Sequence, residues 1–338
     1  FRIGAVDNPN ARRVNRIPMP TMGGLAIFVA FNTTNFFLLR DQYPLSQLVA
    51  LLLAQSLIIM TGMIDDIFEL KPRQKVLGIT LAALVVYFIA NIKMTTLTLP
   101  FLGVVSLGWF SLPITLIWIL GITNAVNLID GLDGLATGVA IIALSTSALT
   151  GYFFLNVTST FISIMMATLV AALLGFLPYN FHPAKIYLGD TGSLFIGFMI
   201  SVFSLYGLKN ATFITLIIPV IILGVPITDT LYAILRRLLN KKPISQADKH
   251  HLHHRLMQMG LTHRQTVLVI YGIALIFSFI SLLYPLSNLW GSILLTVATL
   301  FGLELFVEAI GLVGDTRQPL LNGIKYLVLK VSHLFEHR

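Results

Sequence analysis

Long apolar runs alternate with short polar connections along this chain. Runs of about 17 to 25 predominantly apolar residues, the length a helix needs to cross the hydrocarbon of a bilayer, recur almost end to end. The pattern predicts ten membrane-spanning helices, over residues 22–40, 46–64, 75–92, 109–129, 134–155, 158–178, 191–208, 211–235, 265–285 and 288–313. The short alternating segments of a membrane β-barrel are absent. The fold class is therefore an all-α polytopic membrane protein, a single integral domain over residues 1–338. Between the third and fourth runs, TTLTLPFLG alternates enough for a short strand pair. Residues 236–265 are too long for a mere connector and form a His-rich loop. Residues 314–338 place Lys325, Lys330 and His333 at helix-like spacing among apolar positions, which suggests an interfacial helix on anionic lipid; a frayed polar tail is the plain alternative. The chain opens on Phe1 and a polar, Arg-containing stretch to Gly24, so an eleventh helix ahead of it is expected.

Composition sharpens this picture. Only 11% of residues are charged and mean hydropathy is +0.87, against about 25% charged in an average soluble protein. The absence of cysteine excludes disulfides and thiolate metal sites. Of the 22 lysines and arginines, only Arg40, Lys93 and Lys209 fall on one side of the predicted spans. Such asymmetry over short loops places the basic side in the cytoplasm. All eight histidines fall on that side too, with three apolar runs that stop at aspartates.

Those three ends carry the candidate chemistry. Asp65 and Asp66, with Glu69 one turn on, end the second span. Adjacent carboxylates repel and lose hydration, costs that a divalent cation or a basic partner would offset; a pair of solvated boundary charges is the bland alternative. Asn124, Asn127, Asp130 and Asp133 lie in ITNAVNLIDGLDGLATG, and Asp190 in IYLGDTGS. Hard oxygen ligands of this kind suit magnesium better than zinc. Gly189 and Gly192 flank Asp190 at a helix start, where free N–H groups form an anion site; a cap by Asp190 or Thr191 is the bland alternative, and the two readings are compatible. His250, His251, His253, His254 and Arg255 can grip a diphosphate or, alternatively, a metal. Glu304 and Glu308, one turn apart in the last span, receive no catalytic role.

With these residues in view, the chain closely resembles the polyprenyl-phosphate N-acetylhexosamine-1-phosphate transferase family over almost its whole length. The resemblance rests on Pro20-Thr-Met-Gly-Gly24, Asp65-Asp66, Asn124-Ala-Val-Asn-Leu-Ile-Asp-Gly-Leu-Asp-Gly134, Gly189-Asp-Thr-Gly192 and His251-Leu-His-His-Arg255, in the family's order. It implies transfer of a sugar phosphate from a UDP-sugar to a membrane polyprenyl phosphate, with release of UMP and with magnesium, manganese being a substitute. HLHHR and Glu69 look like the branch that uses UDP-N-acetylglucosamine and undecaprenyl phosphate to start wall teichoic acid, O-antigen and related glycans. The muramoyl-pentapeptide branch has three consecutive histidines, and a lysine after the paired aspartates.

By that resemblance Asp65, Asp66 and Asp190 are catalytic, and Asp190, with Asp65 and Asn127, holds the metal. Asp130 and Asp133, with Tyr187 stacking, lie along the nucleotide, Asn124 and Asn127 bind substrate, and His251, His253, His254 and Arg255 hold the diphosphate, with Arg16 a phosphate contact. Asn15 stands where members often have histidine, which puts a role for residues 10–20 in doubt. The resemblance further implies a bacterial plasma membrane, a cytoplasmic active site, bilayer lipid as a partner, and room for a homodimer; nothing points to nucleic acid. A net charge of +8 fits anionic substrates and headgroups. The competing expectation is a transporter of an anionic solute, whose site would sit near the midplane on broken helices.

Overall fold

A computed structural model of the chain describes residues 4–7, 18–41, 44–99, 102–154, 160–207, 210–241, 243, 251–312, 318–324 and 326. Among them are twelve α-helices: α1 (Gly23–Leu39), α2 (Leu45–Phe68), α3 (Pro72–Phe88), α4 (Ser111–Ile129), α5 (Leu135–Phe153), α6 (Thr160–Asn180), α7 (Gly189–Gly207), α8 (Phe213–Ile222), α9 (Gly224–Leu239), α10 (Leu252–Gln258), α11 (His263–Leu283) and α12 (Leu289–Ala309). Seven of these are long and apolar enough to cross a membrane: α2, α4 with the turn before it, α5, α6, α7, α11 and α12. With the shorter apolar α1 they make a polytopic membrane protein.

Nine of the ten expected spans each match one helix. The tenth, over 211–235, does not: its start is strand, and the rest breaks into α8 and α9 at Leu223. Pro226 explains the break, because it has no N–H to donate to the carbonyl of Ile222. Gly224 at the break packs against the ring of Phe277. This broken helix is therefore filled with apolar side chain rather than opened as a midplane site, which removes the main support for a transporter.

At one end of the bundle a small sheet joins the connections α3–α4 and α7–α8. Strands β3 (Thr96–Leu99) and β4 (Gly103–Ser106) pair antiparallel, and β5 (Asn210–Thr212) adds parallel to β3. The strand pair was expected from alternation; β5 was not. At the other end, a two-residue ladder joins β1 (Val6–Asp7) to β2 (Met19–Pro20) just before α1. The ends of α2, α4 and α6 and the starts of α3, α5, α7 and α11 meet there.

Helix α7 is the axis. Every residue from Thr191 to Phe203 is buried, as expected of a helix that is apolar on all sides. Small residues let its first turn come close to two neighbours. A Cβ on Gly24 of α1 would lie 2.1 Å from Gly192 Cα, and one on Gly62 of α2 would lie 2.4 Å from Thr191 Cα. Side-chain hydrogen bonds add specificity between helices: Asn32 to Gln55 at 2.7 Å, Asn35 to Thr168 at 2.9 Å, Trp118 to Ser204 at 2.8 Å and Thr137 to Asn180 at 2.7 Å. By contrast α12 exposes Trp290, Leu294, Val297, Leu300 and Phe301, an apolar face suited to lipid.

The expected loop over 236–265 is partly helical: α9 runs to Leu239, α10 lies inside it, and α11 begins at His263. Most of the expected tail lies outside the described residues, but helix resumes at 319–324. Buried Glu308 caps that restart, accepting the N–H groups of Leu320 at 3.0 Å and Leu321 at 2.8 Å. Glu304 accepts the hydroxyl of Tyr232. Both carboxylates thus have structural partners.

The close approach of α1 to α7 gives a direct prediction. Gly24→Ala should lower stability by about 1–3 kcal/mol, whereas Gly302→Ala, with no heavy atom within 4 Å of the new methyl, should not. Thermal melting of the two variants in detergent checks this.

Candidate active site

Asp66, near the end of α2, binds the start of α7. Its Oδ1 accepts the N–H of Asp190 at 2.8 Å, and its Oδ2 accepts the N–H of Thr191 at 3.1 Å and the Thr191 hydroxyl at 2.6 Å. These donors are the unpaired amides that every helix start presents, and a carboxylate there also meets the positive end of the helix dipole. The free-amide anion site expected at Gly189–Gly192 is therefore occupied by the chain itself, and neither Asp190 nor Thr191 caps α7. Gly189 must be glycine on two counts: its φ is 71°, and a Cβ would fall 2.2 Å from Thr21 Oγ1 and 2.5 Å from Asp66 Oδ2.

Asp65 faces the other way. Its Oδ1 accepts the N–H of Leu70 at 2.7 Å, closing the turn into α3, and its Oδ2 lies 2.6 Å from Lys75 Nζ. The same ammonium pairs with Asp190. Asn127 at the end of α4 donates from Nδ2 to Asp190 Oδ1 at 2.7 Å and to Ser193 Oγ at 2.8 Å. The structure thus brings together Asp65, Asp66, Asn127 and Asp190 from three helices, as their assignment to one site requires. Asn124 stays out of this network, with its amide donating to the carbonyl of Leu120 one turn back at 2.7 Å. Lys75, Thr21 and Ser193 were given no role from the sequence, and Thr191 only that of a possible cap.

Beside this cluster runs the α4–α5 loop. The part-buried carboxylate of Asp130 accepts no hydrogen bond among the described residues, and burial, then the charges of Asp66 and Asp133, push its pKa up to about 7. Asp133 is held tightly: Oδ2 lies 2.7 Å from His182 Nδ1 and 3.2 Å from the N–H of Ala184, while its own N–H donates to His263 Nε2 at 3.0 Å. The His182 and His263 rings stack at 4.1 Å. One carboxylate oxygen and two ring nitrogens thus lie within 4.8 Å of one another, an arrangement that can hold a metal ion. Neither histidine was assigned a role from sequence.

Past this loop sit the histidines of α10. Buried Asp229 of α9 accepts His251 Nδ1 at 2.7 Å and the N–H of Leu252 at 2.7 Å. It both caps α10 and turns the His251 ring. A lone aspartate inside an apolar run is a signal that could have found Asp229. The rings of His251 and His253 lie parallel, 6.0 Å apart, and His253 and His254 lie 4.1 Å apart. His253 reaches the α4–α5 loop, since a Cβ on Gly131 would sit 2.5 Å from its Nε2. Its Nδ1 is buried with no partner among the described residues, and burial, then the neighbouring His254, pull its pKa down to about 3. At neutral pH this ring is uncharged, able to donate or accept a hydrogen bond.

Tyr187 contributes backbone, its N–H donating to Pro20 at 2.9 Å and its carbonyl accepting from Gly23 at 3.0 Å. Arg255 and His254 are part-buried on α10. Arg16 and His250 lie outside the described residues.

Residues 48–208 match the model of the family described as glycosyl transferase family 4. A probable undecaprenyl-phosphate N-acetylglucosaminyl 1-phosphate transferase of Bacillus subtilis (strain 168) is 44% identical over 330 residues, 97% of this chain and 90% of the relative. A decaprenyl-phosphate N-acetylglucosaminephosphotransferase of Mycobacterium tuberculosis (strain ATCC 25618 / H37Rv) is 35% identical, covering 80% of this chain and 73% of its own. A phospho-N-acetylmuramoyl-pentapeptide-transferase of Clostridium beijerinckii is 33% identical, covering 76% and 79% respectively.

The buried state of His253 predicts a pH dependence. Its folded pKa of about 3 lies below the 6.5 of a free ring, so the stability of its neutral form is complete above pH 6.5. It is lost as pH falls toward 3, because only the unfolded chain then takes up the proton. Denaturation of the wild type between pH 4 and 6.5 should show this acid limb. His253→Gln should flatten it, by up to about 1.4 kcal/mol per pH unit for one proton.

Proposed function

We propose that this chain, which belongs to glycosyl transferase family 4, transfers N-acetylglucosamine 1-phosphate from UDP-N-acetylglucosamine to undecaprenyl phosphate and releases UMP. Initiation of a lipid-linked cell-wall or surface polysaccharide is the role such a product serves. The observation that carries the reading is the meeting of Asp65, Asp66, Asn127 and Asp190 with the Asp133 and His253 clusters at one end of a membrane bundle. The 44% identical relative, named for this transfer, supports the same donor and acceptor. An isoprenoid must stay in the bilayer while its phosphate meets a water-soluble nucleotide, so a site at the bundle end suits both substrates. The basic loops on that side support a cytoplasmic location.

In the proposed reaction an oxygen of the lipid phosphate attacks the sugar-bearing phosphorus of the donor. The bridging P–O bond breaks, and UMP leaves with its electron pair. The lipid phosphate is already a nucleophile, so the protein's task is positioning and charge neutralisation. Magnesium, with manganese as a substitute, would be held by Asp190, with Asp65 and Asn127, and would supply charge neutralisation of the diphosphate. The donor set fits: hard carboxylate oxygens gather around the Lys75 ammonium, a cation already standing between Asp65 and Asp190. The imidazole-rich group of Asp133, His182 and His263 suits a softer metal and is not assigned to magnesium. Asp66 positions Asp190 through the α7 amides, and neutral His253 offers hydrogen bonds to the donor without a fixed charge.

Two outcomes test this. Purified protein with UDP-N-acetylglucosamine, undecaprenyl phosphate and magnesium should release UMP only when lipid and metal are both present; release without lipid, or none with this donor, would contradict the reading. Asp190→Asn should lower that turnover at least 100-fold while leaving the melting temperature close to wild type, and wild-type turnover would remove Asp190 from the site.

A further inference from the structure

The ammonium between the two carboxylates has a consequence of its own. Lys75 projects from the first turns of α3 to reach Asp65 on α2 and Asp190 on α7, with side chains 19%, 7% and 29% exposed respectively. Asp66, adjacent in sequence, is committed to the α7 amides, so among the described residues Lys75 is the cation that pairs with the other two. Carboxylates gathered in so sheltered a place repel one another and lose hydration, and a cation between them offsets both costs. The Oδ2 atoms that bind Lys75 are among the oxygens proposed for magnesium. Magnesium demands near-ideal octahedral oxygen geometry and cannot share those lone pairs with an ammonium.

We propose that Lys75 is a resident cation that competes with the divalent metal for Asp65 and Asp190. This rests on the metal assignment made above. Before metal arrives, Lys75 holds α2 and α7 together at the site. Metal binding displaces the ammonium, which stays tethered to the start of α3 beside the anionic substrates. A lysine suits this exchange, being a compact charge on a flexible four-carbon stem, where arginine's planar fork would stay locked to a carboxylate. The displaced charge is best accommodated against a phosphate, so substrate and metal should each strengthen binding of the other.

The test reads metal binding rather than turnover. Mn2+ binding to the purified full chain in detergent, without substrate, is followed by electron paramagnetic resonance, and binding lost in Asp190→Asn defines the site. Lys75→Met and Lys75→Gln should bind Mn2+ about tenfold or more tightly than wild type although their turnover falls, and Lys75→Arg should bind no more tightly than wild type. Merely structural damage would weaken metal binding, the opposite sign. If wild type shows Asp190-dependent binding that both neutral variants leave unchanged or weaken, the resident-cation role is overturned and the metal assignment stands. If no chain shows Asp190-dependent binding, the metal assignment itself fails and this role falls with it.

Discussion

The grip of Asp66 on the first turn of α7 is the contact on which the rest of the site depends. Three hydrogen bonds tie residues 124 and 125 positions apart in sequence. They fix the end of one membrane helix against the start of another, where unpaired amides would otherwise need water or a ligand. The grip works only because Gly24 and Gly62 let α1 and α2 come into backbone contact with that turn, and because Gly189 leaves space for the carboxylate. Asp190 is then presented to Lys75 and Asn127 rather than used as a cap.

The same end of the bundle separates two kinds of electrostatics. Around Asp65 and Asp190 the charges are compensated by an ammonium and by amides. Nearby, Asp130 lacks a hydrogen-bond partner among the described residues and His253 is held uncharged by burial. Satisfied charge beside unsatisfied polar groups is what a pocket for a charged, hydrogen-bonding ligand requires. In the proposed transferase, the first region answers to the phosphates and their metal, the second to the nucleotide sugar.

Much of this was legible in the sequence, because membrane-length apolar runs and asymmetric basic loops are local signals. They gave nine of the helices one by one and the end at which the polar residues gather. Pro226 interrupts the apolar run in the sequence, but hydropathy continues across it, so one span was drawn over 211–235 where α8 and α9 break at Leu223. Lys75 looked like one of several boundary charges near Lys71 and Arg73, and only the packing of α2 against both α3 and α7 reveals its partners. Asp229 stands out as a lone carboxylate in an apolar run, but only the fold shows that it holds His251. Asp66 and Gly192 act on elements more than a hundred residues away, so the grip on α7 and its close approach to α1 leave no local signal.

The most direct test of the account is where the donor binds. A photoreactive azido derivative of UDP-N-acetylglucosamine, irradiated with the purified chain and mapped by mass spectrometry, should label peptides from 127–134, 180–193 or 251–255, and unlabelled donor should protect them. Protectable labelling confined to the opposite end of the bundle, around 93–108 or 210–212, would contradict it.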